Sequence, residues 1–202
     1  EWGSMKTELV AAVRDVGGKI RCGDVCVKNG YVVAGYAATD ASGSATEPFV
    51  LISGETSGEV TEPELRISTA TDCGNGGLRM LACGTVTVGM LWAETGNVLK
   101  YTYADTSSWA SWTTVNLSTA RLSTFDAVSM GASGFVYAFY ENGTGNIRVT
   151  TADTTGTQIQ TATFAFTGTV YGIGIHWDGA SIHLVYHSAG NLVYRRYSAA
   201  LA

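Results

Sequence analysis

The chain has 202 residues, 46% of them hydrophobic and only 14% charged, with 25 glycines, two prolines and a net charge of −5. A chain this long buries roughly 70% of its unfolded surface, so it needs neither metal nor disulfides to fold, and one domain is the default. The mild acidity argues against a broad surface for nucleic acid or anionic membrane, and no apolar run approaches the ~18 residues of a membrane-spanning helix.

Residues Glu1 to Met5 lack the basic region and apolar core of a signal peptide. Gly3-Ser4-Met5 has the look of a cloning junction, so residues 1–5 are set aside and 6–202 are read as a single domain. If Met5 is a native start, no cleaved leader exports the protein.

From Lys6 to Asp15 the sequence KTELVAAVRD alternates well enough to be a strand. Lys19 to Val27 and Tyr31 to Ala38 then form a hairpin around Lys28-Asn29-Gly30, a tight-turn signal. Cys22 and Cys26 fall on the first of these strands, where four residues span roughly 13 Å, too far to bridge without a bulge. With Cys73 and Cys83 they lack paired C-x2-C knuckles, which speaks against zinc. Buried free thiols are the simplest reading, and a cross-link from Cys22 or Cys26 to Cys73 or Cys83 is the alternative.

Next come a polar loop, Thr39 to Thr46, and a short apolar strand, Pro48 to Ser53. The stretch from Gly54 to Pro63 reads as an acidic loop carrying Glu55, Glu59 and Glu62, without the ligand spacing of a calcium loop. Leu65 to Thr71 is either the third strand of the first unit or its fourth. It closes on Asp72, and only Cys73 to Gly77 separate it from the next unit, which favours the fourth.

The second unit predicts strands at Leu78 to Cys83, Thr85 to Ala93, Val98 to Ala104 and Trp112 to Leu117. The third places them at Phe125 to Met130, Phe135 to Tyr140, Asn146 to Ala152 and Gln158 to Phe166. The last has only three, at Val170 to His176, Ile182 to His187 and Leu192 to Ser198. Gly-Asn pairs at Gly96-Asn97, Gly145-Asn146 and Gly190-Asn191 recur at spacings of 49 and 45 residues, a period that belongs to propeller-type repeats.

The predicted fold is therefore an all-β propeller of four blades, each of four antiparallel strands, with blades at about 19–72, 78–117, 125–166 and 170–198. Residues 6–15 supply the strand missing from the last blade, which removes two exposed edges together. A ring shared between chains, or a β-sandwich, is the competing architecture.

Two stretches carry a family resemblance. HWDGASIHLVYHSAGNLVYRRYS (His176 to Ser198) is similar in plan to a blade of the fucose-type propeller lectins, with an aromatic-aspartate-glycine turn and an apolar-aromatic strand before Gly-Asn. YADTSSWASW (Tyr103 to Trp112) resembles a degenerate Asp-box of the sialidase-like repeats. That pattern has Ser or Thr two before the Asp, Gly two after and an aromatic five after. Here Tyr103 precedes Asp105, Ser107 stands for the Gly, and Trp109 and Trp112 are out of step; Asp153 keeps Thr151 but has Gly156 displaced. The resemblance covers about Leu78 to Ala202 and implies fold more than function.

Tyr36, Trp92, Tyr140 and Tyr186 end the second strand of each unit, where an aromatic either offers a flat face to a sugar or packs between blades. Trp109 and Trp112 sit in a polar turn and are expected to be more exposed. Lys100, Arg148, Arg195 and Arg196 lie on third strands. The resemblance implies an Arg and a Glu from neighbouring blades clamping sugar hydroxyls, with Glu94 and Glu141 as acceptors.

For glycoside hydrolysis Asp24, Asp126 and Asp178 would have to converge, yet they share no strand position. His176 and His183 are expected as diagonal neighbours, and with His187 they lack a further metal ligand. No cofactor motif is present. Asn116-Leu117-Ser118 and Asn142-Gly143-Thr144 are glycosylation sequons that matter only in a eukaryotic secretory setting.

The expected function is a non-catalytic recognition module for a glycan or protein receptor, on a virion or outside the cell, with self-association or a virion partner possible. A sialidase-like glycosidase and a structural assembly part are the alternatives.

Overall fold

A computed structural model describes residues 20–39, 46–54, 60–68, 77–94, 98–118, 122–166 and 168–202. The expected closing strand Lys6 to Asp15, residues 1–5 and Cys73 lie outside them. The described residues form fifteen strands and one 3-10 turn, Gly131–Ser133. No helix among them is long and apolar enough to cross a membrane.

Four antiparallel meanders follow one another along the chain. The first sheet holds β1 (Ile20–Lys28), β2 (Tyr31–Thr39), β3 (Thr46–Gly54) and β4 (Val60–Arg66). The second holds β5 (Leu78–Cys83), β6 (Thr87–Glu94), β7 (Val98–Asp105) and β8 (Thr113–Asn116). The third holds β9 (Leu122–Ser129), β10 (Phe135–Glu141), β11 (Asn146–Ala152) and β12 (Gln158–Ala165). The fourth has three strands, β13 (Val170–Trp177), β14 (Ser181–Ser188) and β15 (Asn191–Ser198).

The predicted strands thus recur within a few residues. One difference is at Val60 to Pro63, where the expected acidic loop is already strand β4. The fourth-strand reading of Leu65 holds, although the strand ends at Arg66.

Period-two alternation sends each sheet's residues to two faces, and these faces meet in three inter-sheet cores. Val33, Ala37, Val50 and Ile52 of the first sheet pack on Met80, Met90 and Trp92 of the second. Leu91, Leu99 and Tyr101 meet Phe125, Phe135 and Tyr137 of the third. Val136, Ala138, Ile147 and Val149 meet Ile182, Leu184 and Tyr186 of the fourth.

First strands pack in sequence, β1 on β5, β5 on β9 and β9 on β13. Polar links reinforce that order. The Met80 amide donates to Asp24 Oδ2 and the Ile175 amide to Asp126 Oδ2, each at 2.9 Å, and Arg79 donates to Asp126. The first hairpins also dock on one another: Lys28 Nζ donates to the Gly84 carbonyl at 2.6 Å, and the Gly84 amide to the Gly131 carbonyl at 2.8 Å.

Cys26 and Cys83 are free thiols, so neither takes part in the cross-link weighed above. Burial pushes Cys26 up to about 12 and Cys83 up to about 11, which keeps both protonated and inert.

Candidate functional site

Tyr36, Trp92, Phe139 and Tyr186 occupy one register position, opposite Phe49, Lys100, Arg148 and Val193 on the third strand of their sheets. In the third sheet the matching aromatic is therefore Phe139, one residue before the expected Tyr140. A one-residue shift reverses the face. Tyr140 accordingly points toward the fourth sheet, where it is buried and donates its hydroxyl to the Gly168 carbonyl at 2.8 Å.

Two residues beyond that position the second and third sheets carry an acid, and two residues into the next strand a base. Glu141 Oε1 meets Arg148 Nε at 2.7 Å and Glu94 Oε2 meets Lys100 Nζ at 2.6 Å. Both pairs lie within one sheet rather than between neighbours as expected, because a short turn brings the end of the second strand beside the start of the third. In the first sheet Glu47 pairs with Arg66 on β4, and the Tyr36 and Phe49 rings stack 5.5 Å apart. The fourth sheet has Ser188 in place of the acid, and Arg195 lies over the Phe164 ring at 4.0 Å.

These positions differ in what space they leave. Trp92 fills its own, fully buried, with Nε1 donating to Thr102 Oγ1 at 3.1 Å and Lys100 across its ring at 5.5 Å. In the third sheet the smaller Phe139 leaves a cleft of about 310 Å³. It is walled by Asn116 at the end of β8 and Leu117 and Ser118 after it, by Tyr137, Phe139 and Glu141 of β10, by Arg148 and Thr150 of β11, and by Gln158 and Thr161 of β12.

The cleft is stiffened from both sides. Gln158 Nε2 donates to the Leu117 carbonyl at 2.9 Å, joining the third sheet to the second. The Glu141 side chain is 3% exposed and also accepts from Thr144 Oγ1 at 2.8 Å, while Arg148 is 42% exposed. A buried carboxylate thus holds a half-exposed guanidinium at the opening. Burial raises Tyr137 to about 12, so its hydroxyl stays a neutral donor and acceptor at the cleft floor.

Of the sequence candidates, Arg148 and Glu141 come together here. Glu94 and Trp92 form the parallel arrangement between the first and second sheets, and Tyr140 and Tyr186 belong to the core between the third and fourth. Trp109 is not exposed as expected: it is 7% exposed, set edge-on to Tyr31 at 5.3 Å, with Trp112 stacked at 6.3 Å and half-buried. Two bulky apolar rings in a short turn bury each other. Tyr137, Phe139, Thr150, Gln158 and Thr161 escaped the sequence reading; their signal was the alternation back from Glu141, to Phe139 and Tyr137.

The hydrolase candidates do not form a cleft pair. Asp24 and Asp126 are engaged by backbone amides of the next sheet, and Asp178 sits in the β13–β14 turn bonded to His183 Nε2 at 2.7 Å. His176 and His183 lie directly opposite, not diagonally, with ring centroids 6.1 Å apart. Among the described residues no group of three or more His, Cys, Asp or Glu is arranged to hold a metal.

No family model and no curated protein matches the sequence. Solved structures do match in fold. The six-bladed β-propeller lectin of Aleuria aurantia, which recognises fucose, is similar at a TM-score of 0.56 and 8% identity over 89% of this chain and 58% of that one. AofleA from Arthrobotrys oligospora gives 0.55 and 10% over 87% and 54%. The NanB sialidase of Streptococcus pneumoniae gives 0.56 and 10% over 91% and 30%. The chain thus spans just over half of the lectin chains, and its four sheets are arranged as successive blades of a β-propeller.

Proposed function

We propose that this protein is a non-catalytic recognition module that binds one sugar residue of a glycan in the cleft between the second and third blades. The observation that carries the reading is the half-exposed Arg148 held by buried Glu141 beside Tyr137 and Phe139. A sugar presents hydroxyls and apolar C–H faces together. The guanidinium's remaining N–H groups suit vicinal hydroxyls, and an aromatic wall suits the C–H face.

The cleft is near the lower limit of the roughly 300–1,000 Å³ typical of small-molecule sites, which favours a single ring over a chain. Fucose recognition by the Aleuria aurantia lectin supports the ligand class without fixing the sugar. A module of this kind acts where glycans are displayed, outside a cell or on a virion.

The test is a glycan array followed by calorimetric titration of the best sugar, with α-methyl-L-fucoside included. Binding that Arg148→Ala abolishes is expected. Silence of the wild-type protein on every glycan, or unchanged affinity in Arg148→Ala, would end the proposal.

A further inference from the structure

The second blade holds a filled counterpart of the Arg148 cleft. The two blades match in register: Trp92 is paired across the sheet with Lys100 as Phe139 is with Arg148, and Thr102 with Thr114 as Thr150 is with Thr161. The threonines are bonded alike, Thr102 Oγ1 to Thr114 Oγ1 at 2.9 Å and Thr150 Oγ1 to Thr161 Oγ1 at 3.0 Å. What differs is the aromatic. The Trp92 indole reaches diagonally to the next strand and donates its Nε1–H to Thr102 Oγ1 at 3.1 Å, with Lys100 over its ring. Phe139 is one ring smaller and carries no N–H, so Thr150 receives no such donor.

Thr150 is 2% exposed and walls the cleft. A hydroxyl has one donor and two acceptor sites, so whichever member of the Thr150–Thr161 pair donates, Thr150 keeps an acceptor lone pair beyond that bond. Beside Thr150 the buried Tyr137 hydroxyl closes no hydrogen bond to any described residue. Native interiors leave few buried hydroxyls unpaired, and on the floor of a cleft an unpaired one marks a place for a partner from outside the chain.

The charge balance bears on what that partner is. Glu141, 3% exposed, already neutralises Arg148, and no second cation stands among the residues that wall the cleft. An anionic ligand would set its own charge beside a buried carboxylate without a cation to spare.

We infer that Thr150 is the specificity-determining residue of the cleft: its hydroxyl accepts a hydrogen bond from an O–H at the buried edge of the sugar, in the place that the Trp92 N–H takes in the second blade. The ligand is then a neutral sugar with a free hydroxyl at that edge, and an acidic sugar is refused. This rests on the sugar reading of the cleft.

The test is calorimetric titration of the full chain with the methyl glycosides of L-fucose, D-galactose, D-mannose and N-acetyl-D-glucosamine, with N-acetylneuraminic acid and glucuronic acid alongside. The monodeoxy analogues of the tightest binder follow. Wild type should bind a neutral glycoside and neither acid. Thr150→Val should weaken that binding about tenfold, the scale of one lost hydrogen bond, while Thr150→Ser keeps it within about twofold. One monodeoxy analogue should bind wild type about tenfold more weakly than its parent, yet bind Thr150→Val as well as the parent does. Thr102→Val, the same change in the filled counterpart, should leave the affinity unchanged.

The inference fails, with the sugar reading intact, if Arg148→Ala abolishes binding but Thr150→Val binds as well as wild type. It also fails if Thr150→Ser loses as much as Thr150→Val, or if Thr150→Val weakens every monodeoxy analogue as much as the parent, since packing would then set the affinity. Preference for either acid overturns it. A wild type that binds none of these sugars overturns it too, and the glycan array then decides whether the sugar reading falls with it.

Discussion

At the scale of single residues the cleft depends on which side of a strand a side chain takes. Phe139 and Tyr140 are adjacent aromatics, yet one walls the cleft and the other fills the next core. The ion pair below Phe139 is asymmetric. Glu141 is almost wholly buried and Arg148 is not, so losing the cation costs more than a surface pair would suggest. Arg148→Ala is expected to destabilise by about 1–3 kcal/mol in urea unfolding, because Glu141 keeps only Thr144 as a side-chain partner. Adding Glu141→Leu should recover most of that loss, as replacing both members of a buried pair often does; a double variant as weak as the single would place the cost in packing around Arg148 instead. Charge type and spacing made Glu141 and Arg148 visible in the sequence, but their partners were not. Sequence spacing says that both lie near one turn and is silent on whether they pair within a sheet or across two. The floor residues Thr150, Gln158 and Thr161 look like any alternating Thr/Gln strand, and only the second blade's Leu117 opposite them turns that strand into a wall.

At the scale of elements, strands were legible because alternation and Gly or Asn turns are local signals. Gly145 and Gly190 take positive φ of 69° and 80°, which Gly adopts without strain, so these two Gly-Asn pairs mark turns, while Gly96-Asn97 lies outside the described residues. The degenerate Asp-box readings became a structural motif. Asp105 Oδ1 accepts from the Ser107 amide and hydroxyl, and Asp153 Oδ1 accepts from the Thr155 and Thr157 amides and the Thr155 hydroxyl. The backbone and side chain of Ser107 hold the Asp105 carboxyl below its usual range. For Asp153 slight burial pulls upward, but the Thr155 and Thr157 bonds together outweigh it; for Asp178 the His183 bond leads, with the Ala180 and Ser181 amides. A depressed carboxyl contributes stability that is complete above its unfolded value of ~3.9 and is lost as pH falls through the lower folded values. Thermal midpoints should therefore be level from about pH 5 to 7 and drop below about pH 4. The triple variant Asp105→Asn, Asp153→Asn, Asp178→Asn should show a smaller drop between pH 7 and 3. An equal drop would assign acid sensitivity to other groups. Packing between elements is sharper still at Gly89, where a Cβ would sit 2.1 Å from Tyr101 Cε2. The ring of Tyr101 is buried across that glycine and its hydroxyl donates to the Thr154 carbonyl at 3.1 Å, so it cannot swing aside. Gly89→Ala is expected to cost about 1–3 kcal/mol by overpacking, read from the shift in urea midpoint.

For the whole molecule the question is how an arc of blades ends. Three interfaces are packed, and each joins consecutive sheets, so the order of blades follows from chain connectivity and short loops. Every first-to-third blade has four strands and the fourth has three, which leaves β15 paired only to β14 among the described residues. An eight-residue edge strand invites pairing, and Arg195 and Arg196 are the kind of edge charge that discourages the wrong partner. The segment Lys6 to Asp15 is long enough to pair along β15. Pairing there would supply a fourth strand to the last blade. The competing arrangement leaves β15 as an edge. Amide hydrogen exchange separates the two, since alternate amides of an antiparallel edge strand point outward and are protected only when a neighbour accepts from them. In the full chain all amides of β15 are expected to exchange slowly. In a chain lacking residues 1–19 alternate amides should exchange fast while those bonded to β14 stay protected. Fast exchange at alternate positions in the full chain would show a three-stranded last blade.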